Sequence, residues 1–341
     1  MTPVKKTVSG APAPGVRKTG LGRALGVVTK KNLLILLVIV ATGAIVQALR
    51  MAGIINDVYD TLLATICINV ILAVSLNLVT GFTGQFSLGH AGFMSIGAYT
   101  CGLILVAHES TLGFIIGIVA AGIVAAIFGA LIGFPTLRLK GDYLAIATLG
   151  FGIIVQGLFL VFNFTGGAAG LVGIPIVATW PWLFGITVLT IILINNFIKS
   201  SRGRACIAIR EDEIAAEAMG INSTKYKVMS FAIGAFFAGI AGGLYASYFY
   251  IIKPTNFGFV MSINILVIVV LGGLGSLTGS VIAAILVSVL TTFLQNFAGV
   301  NNIIYALLLI IIMLFRPQGL MGTVEVTDLL KRIGRKKKQV E

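Results

Sequence analysis

Charged side chains are missing from long stretches of this 341-residue sequence. No Asp, Glu, Lys or Arg occurs between Tyr143 and Ile198, and none occurs between Pro254 and Phe315. The composition, 58% hydrophobic and 10% charged, excludes a soluble domain, and the long apolar runs exclude the short alternating strands of a membrane barrel. Because a charge in mid-span costs about 2.5–3.5 kcal/mol, these stretches predict an all-α polytopic membrane protein.

Other scarce residues exclude several kinds of site. Three cysteines provide neither a disulfide framework nor a metal-binding spacing, and two histidines exclude a His-rich metal site. The dipeptide Gly-Lys does not occur, so the sequence has no phosphate-binding loop of the G-x-x-x-x-G-K-[ST] type. No catalytic constellation is evident. We therefore expect neither an enzyme nor a metal or cofactor bound by this chain.

Acidic residues are few as well, with 11 Asp and Glu against 24 Lys and Arg. The basic residues concentrate in both tails and in certain loops, which is typical of the cytoplasmic segments of a membrane protein and argues against nucleic acid as a partner. When the spans are oriented by this rule, 22 of the 24 basic residues and both termini lie in the cytoplasm. The predicted parts are a basic tail 1–31, a membrane domain 32–322 and a basic tail 323–341.

The apolar runs predict about ten spans in contact with membrane lipid, with eight to ten as the defensible range. Two of the runs, 260–271 and 303–315, are short for full spans. The predicted spans cover residues 32–49, 61–80, 88–107, 112–134, 143–163, a sixth that ends at 198, 228–251, 260–271, 280–297 and 303–315.

Two glycine-rich stretches interrupt the apolar pattern: break one, GFTGQFSLG (81–89), and break two, GGLGSLTG (272–279). Each follows an apolar run that contains an Asn, so a parallel internal repeat is one interpretation and coincidence is the other. Small polar side chains around break one favour a discontinuous helix beside a translocation path; the alternative is a tight loop packed on its neighbours. The predicted path residues are Asn77, Thr80, Gly81, Thr83, Gly84, Gln85, Ser87, His90, Gly272 and Gly275.

The spans contain no Asp, Glu, Lys or Arg, which disfavours a carrier driven by protons or sodium. A channel would show rings of charge or a carbonyl-filter motif, and none stands out. A nucleotide could drive transport only through a separate ATPase subunit, which needs a docking site on the cytoplasmic face.

The charged segment 199–227 is the candidate for that docking site, and we refer to it as the coupling loop. Ser201 is expected to cap a short helix over 202–209, and Asp212 a second one, EIAAEAM, that ends at Gly220. The second helix carries Glu213 and Glu217 on one face, which suits a groove on a partner; an amphipathic helix on lipid head groups is the alternative. The predicted coupling residues are Arg210, Glu211, Asp212, Glu213, Glu217 and Gly220.

Seven motifs in order resemble the permease subunits of bacterial branched-chain amino-acid ABC importers, and more closely the M-type subunit, over residues 33 to 322. The motifs are NLVTGFTGQFSLGHAGFMSIGAYT (77–100), LRLKGDYLAIATLGFG (137–152), TGGAAGL (165–171), RACIAIREDEIAAEAMGI (204–221), GLYASYFYIIKPTNF (243–257), LGGLGSLTGSVIAA (271–284) and RPQGLMG (316–322).

The resemblance implies a multi-pass protein of the bacterial inner membrane with several partners. These are an H-type sibling permease, two cytoplasmic ATPases that use ATP and Mg, and an extracytoplasmic solute-binding protein. The implied solute is leucine, isoleucine or valine. Urea or short amides are the alternative within similar permeases, and an ion-coupled carrier or a channel is the alternative from a different class.

Overall fold

The computed structural model describes residues 30–53, 56–136 and 141–294, together with seven residues between 306 and 322. It divides into two units, residues 1–54 and residues 55–341, which are described separately. In the first unit, helix α1 (Lys30–Met51) forms over the predicted span 32–49. Both tails, apart from Lys30 and Lys31, and most of the predicted last span lie outside the described residues.

The second unit is built from apolar helices of 14 to 27 residues and two short helices of the coupling loop. The helices are α2 (Asp57–Asn77), α3 (His90–Ala107), α4 (Thr111–Thr136), α5 (Asp142–Val161), α6 (Trp180–Lys199), α7 (Ser201–Glu211), α8 (Glu213–Ala218), α9 (Ser223–Phe249), α10 (Phe259–Gly272) and α11 (Leu277–Leu294).

Seven helices among the described residues are long and apolar enough to cross a membrane: α2 with its extension to Phe82, α3, α4, α5, α6, α9 and α11. They coincide with the predicted spans to within a few residues. Helix α10, over the predicted span 260–271, has only 14 residues, or about 21 Å, against a hydrocarbon core of about 30 Å. The all-α polytopic prediction is confirmed, and the number of spans stays approximate.

The core of the unit is formed by α9, which packs along α3 and α4, while α2 packs against α11, α9 and α6. Small residues allow this close approach. A Cβ at Gly239 would meet Ala121 and Ala125, and one at Gly243 would meet the side chains of Ile118 and Cys101. The small-xxx-small pair Gly239/Gly243 therefore serves helix packing, as its spacing predicts.

The end of the unit opposite the coupling loop is closed by short irregular elements. Two 3₁₀ turns (Asn163–Thr165 and Gly167–Ala169) lead into strand β1 (Leu171–Val172), which pairs antiparallel with β2 (Ile251–Ile252). The buried Tyr99 hydroxyl donates a hydrogen bond to the carbonyl of Ile252 at 3.3 Å. This two-residue ribbon ties the uncharged 163–175 loop to the end of α9.

Candidate functional site

The two glycine-rich breaks meet at the coupling-loop end of the second unit. Asn77, the last residue of α2, donates from Nδ2 to the Ser276 carbonyl at 2.9 Å and to Ser280 Oγ at 2.8 Å. Its Oδ1 accepts from the Gly275 backbone N–H at 2.9 Å. The carboxyl ends of α2 and α10 therefore lie together, so the two helices run in the same direction, as a parallel repeat requires.

Break one (81–89) begins inside a π-helical turn, Leu78–Phe82, that extends α2. Residues 83–89 follow without regular structure before α3 begins at His90. Gly84 has a φ of +74°, a left-handed conformation that glycine adopts without a steric penalty. The glycine-rich sequence therefore does interrupt the helix, as predicted.

Most polar side chains in break one and beside it are buried and bonded inside the protein. The Oγ1 atom of Thr83 donates to the Leu78 carbonyl at 2.9 Å, and Ser75 Oγ lies 2.8 Å from His90 Nε2. Ser87 Oγ accepts a long bond, 3.5 Å, from the N–H of Gly89. This bonding agrees with the packed-loop interpretation for these residues, and their role in a path stays a prediction.

Two buried oxygens near break one differ from the rest. Among the described residues, Thr80 Oγ1 and Gln85 Oε1 have no hydrogen-bond partner. The amide nitrogen of Gln85 makes only a long bond, 3.4 Å, to Ser230 Oγ. Since a buried polar group without a partner costs about 1–3 kcal/mol, these two side chains are the strongest candidates for contact with a polar solute.

The coupling loop folds as two capped helices. Asp212 Oδ1 accepts from the N–H groups of Ile214 and Ala215 at 2.9 and 3.0 Å, so its predicted capping role is confirmed. The predicted Ser201 cap is wrong by one residue: Ser200 Oγ accepts from Gly203 N at 3.2 Å, because α7 already begins at Ser201. Both serines satisfy the preference for Ser at the N-cap of a helix.

Gly220 ends α8 as predicted, with a φ of +84°. The Ile221 N–H bonds to the Ala216 carbonyl at 3.1 Å and the Gly220 N–H to that of Glu217 at 2.9 Å. This paired pattern is the Schellman motif, which fixes the direction in which the chain leaves the helix.

The two acids of α8 are engaged within the chain. Glu213 forms an ion pair with Lys227 Nζ at 2.6 Å, and Glu217 accepts a hydrogen bond from the Ser223 hydroxyl. By contrast, Ile214 and Met219 are 77% and 84% exposed. The exposed surface of α8 is therefore largely apolar, and its acids brace the loop against the start of α9. Glu211 is also exposed.

Helix α7 is seated on the protein through its buried face. Cys206 is buried, and its Sγ lies 3.8 Å from the carbonyl of Tyr226, to which it donates. Burial raises the pKa of this thiol to about 11, so it is protonated and unreactive at neutral pH. This seat keeps the coupling loop beside break one.

Arg210 has a position that its sequence context did not reveal. It belongs to the predicted coupling residues, yet its Nη1 donates to the Gly81 carbonyl in break one at 2.5 Å. Its guanidinium also lies beside Gly275 of break two. The structure thus brings one predicted coupling residue together with the predicted path residues. The partner serines 230, 276 and 280 were not predicted, although small polar residues in apolar helices are a usable signal.

Comparison with known families identifies the chain. The model of the family described as branched-chain amino acid transport system / permease component matches residues 58–316. The chain belongs to this family. The matched region contains both breaks and the whole coupling loop, and it confirms the resemblance expected from the seven motifs.

Curated relatives of this permease family match most of the chain. The high-affinity branched-chain amino acid transport system permease protein LivM of Salmonella typhimurium is 38% identical over 293 residues, which cover 74% of this chain and 68% of the relative. LivM of Escherichia coli matches equally. LivH of Escherichia coli is 27% identical over 288 residues, covering 75% and 92%. No solved structure matches the chain.

Proposed function

We propose that this chain is the membrane-spanning permease subunit of an ATP-driven importer of leucine, isoleucine and valine. One observation carries the proposal: the coupling loop is folded, capped and seated on the glycine-rich breaks of two neighbouring helices. Membership of the branched-chain amino acid permease family and the names of its LivM and LivH relatives support the solute class.

Energy enters through two separate ATPase subunits, which bind ATP and Mg and dock on α8. The exposed Ile214 and Met219 support this role, because an apolar helix surface suits a groove on a partner. The ion pair of Glu213 with Lys227 supports a role for this acid other than contact with the partner, namely that it holds α8 in place for docking.

The remaining partners are an H-type sibling permease and a solute-binding protein outside the membrane. We place the protein in the bacterial inner membrane, with the coupling loop and both termini on the cytoplasmic side. In the described part of the second unit, six basic residues lie at the coupling-loop end and one, Lys253, at the opposite end, which supports this orientation. The binding protein then delivers solute at the end closed by the β1–β2 ribbon.

Transport by the complete complex in proteoliposomes tests the proposal. The chain is reconstituted with the sibling permease, the two ATPases and the binding protein from neighbouring reading frames, with ATP enclosed on the ATPase side. We expect uptake of labelled leucine that requires ATP and binding protein. Uptake of urea or acetamide instead of leucine would show that the substrates are urea or short amides. Uptake that follows an imposed ion gradient without ATP would overturn the proposal in favour of a carrier.

Docking on α8 is tested by co-purification of the ATPases. We expect Met219→Asp and Ile214→Asp each to lower ATPase recovery at least tenfold, since a buried unpaired carboxylate costs several kcal/mol at an interface. Ile176→Asp, an exposed apolar position at the opposite end, is the matched control and leaves recovery unchanged. Full recovery with both α8 variants would remove the helix from the docking site.

A further inference from the structure

Arg210 connects the coupling loop to the interior of the membrane domain. It lies in the last turn of α7 and is half-buried, with its side chain directed at break one. The hydrogen bond from its Nη1 to the Gly81 carbonyl, 2.5 Å, spans 129 residues of sequence. Gly81 is buried in the π-helical turn that extends α2, and carbonyl oxygens at the carboxyl end of a helix attract a cation.

Glycine in both breaks leaves room for this arginine. At Gly84, a Cβ would lie 3.3 Å from Arg210 Cγ and 3.5 Å from its Cβ. At Gly275, a Cβ would lie 2.6 Å from Arg210 Nη1, closer than such atoms approach in proteins. Both glycines have positive φ, +74° and +86°. The side chain therefore occupies a space that the two breaks form together.

The contact reaches the point at which the breaks are joined. The Gly275 N–H, next to the guanidinium, donates to Asn77 Oδ1 at 2.9 Å, and Asn77 in turn bonds Ser276 and Ser280. On the other side, Arg210 is two residues from Asp212, which caps α8. A displacement of α8 therefore has a short route through one side chain to the ends of α2 and α10.

We propose that Arg210 is a positioning residue that carries the movement of the coupling loop to both glycine-rich breaks, and that its contact persists through the transport cycle. The inference rests on the proposed function, since the loop moves only if an ATPase docks on it. It assigns Arg210 to transmission within the permease, whereas the exposed surface of α8 binds the ATPase.

Variants at position 210 in the reconstituted complex test the assignment. We expect Arg210→Gln to retain ATPase recovery and basal ATP hydrolysis but to lose about tenfold in the stimulation of hydrolysis by loaded binding protein, and equally in uptake. Arg210→Lys keeps a charged donor for the Gly81 carbonyl and restores most of both. The control is Arg204→Gln on the same helix, an exposed arginine whose side chain donates to the Lys199 carbonyl near its own helix.

The results separate this inference from the proposed function. If the wild-type chain recruits no ATPase, the proposed function fails, and the transmission role of Arg210 that rests on it fails as well. If the wild-type complex transports and Arg210→Gln transports equally well, the transmission role is wrong. The same holds if Arg204→Gln loses stimulation to the same extent, because the effect would then follow from the charge of the loop.

A covalent link keeps the inference testable should Arg210→Gln not assemble. The 3.5 Å between Arg210 Cβ and a Cβ built at Gly84 lies within the range for a disulfide, about 3.5–4.5 Å. We expect the oxidised double variant Gly84→Cys/Arg210→Cys to recover substrate-stimulated hydrolysis that reduction removes, with each single variant as control. An oxidised protein that is inactive and regains activity on reduction would show that the contact must open, which overturns the proposal.

Discussion

Break one and break two lie against each other, yet they differ in length and in what they enclose. Seven residues, 83–89, separate the π-helical turn from α3, whereas four residues, 273–276, separate α10 from α11. Break one leaves Gly84 and Phe86 exposed and encloses buried polar side chains. In break two, Gly272 is packed against the backbone of Gly279 and Ser280.

Glycine serves two purposes in the breaks. In break two, the missing side chains let the backbone segments at Gly272 and Gly279 touch, so the turn has little freedom to change. At Gly84 of break one and Gly275 of break two, the missing side chain leaves space for Arg210. Break one also contains Gln85, whose buried oxygen has no partner among the described residues. Under the proposed function, we expect break one to be the part that contacts the solute, whereas both breaks receive the movement of the coupling loop through Arg210.

Loss of the asparagine that joins the breaks is expected to have the largest effect. Asn77→Leu removes three hydrogen bonds and leaves the Gly275 N–H without its acceptor, at a cost of about 2–4 kcal/mol in the free energy of unfolding. The control is Asn69→Leu, which loses one bond to Ser288 Oγ and about 1 kcal/mol. Thermal unfolding of the purified proteins in detergent compares them, and equal losses would contradict a joining role for Asn77.

Paired substitutions at one glycine of each break distinguish their two uses. At Gly272 the problem is contact, since a Cβ would lie 2.7 Å from the Gly279 carbonyl group, and overpacking costs about 1–3 kcal/mol. At Gly84 the problem is the φ of +74°, which asparagine tolerates better than alanine and which costs alanine about 1–2 kcal/mol.

The expected order of stability is therefore opposite at the two positions. Gly272→Ala unfolds at a higher temperature than Gly272→Asn, because the smaller side chain makes the lesser clash. Gly84→Asn unfolds at a higher temperature than Gly84→Ala. The same order at both sites would mean that the two breaks use glycine for one reason.

Local features of the coupling loop could be predicted from sequence because each depends on a few adjacent residues. Asp212 as a cap and Gly220 as the left-handed residue after α8 follow from rules that concern a single helical turn. The cap of α7 was misplaced from Ser200 to Ser201, since both positions satisfy the same rule and only the path of the chain decides between them.

Contacts between distant segments could not be predicted in this way. Arg210 and Gly81 are 129 residues apart, and Asn77 and Ser276 are 199 apart, so no local pattern links them. Likewise, the face shared by Glu213 and Glu217 was predicted, whereas their engagement by Lys227 and Ser223 depends on how α9 starts. Neither the local sequence patterns nor these contacts establish what the site residues do in transport, so those roles stay predictions.

The smallest expected loss of stability belongs to Gln85→Leu. This change removes a weak bond of 3.4 Å, but it also removes the buried oxygen that has no partner among the described residues. Because the two effects oppose each other, we expect no loss, and a gain of up to about 1 kcal/mol, in the free energy of unfolding. Uptake nevertheless falls severalfold if Gln85 offers a polar group to the solute. Thr83→Val is the contrast: it breaks a firm bond of 2.9 Å, costs about 1 kcal/mol in stability and leaves uptake per folded complex unchanged. Normal uptake in Gln85→Leu would assign break one to packing alone, and the two breaks would then share a structural role despite their different lengths.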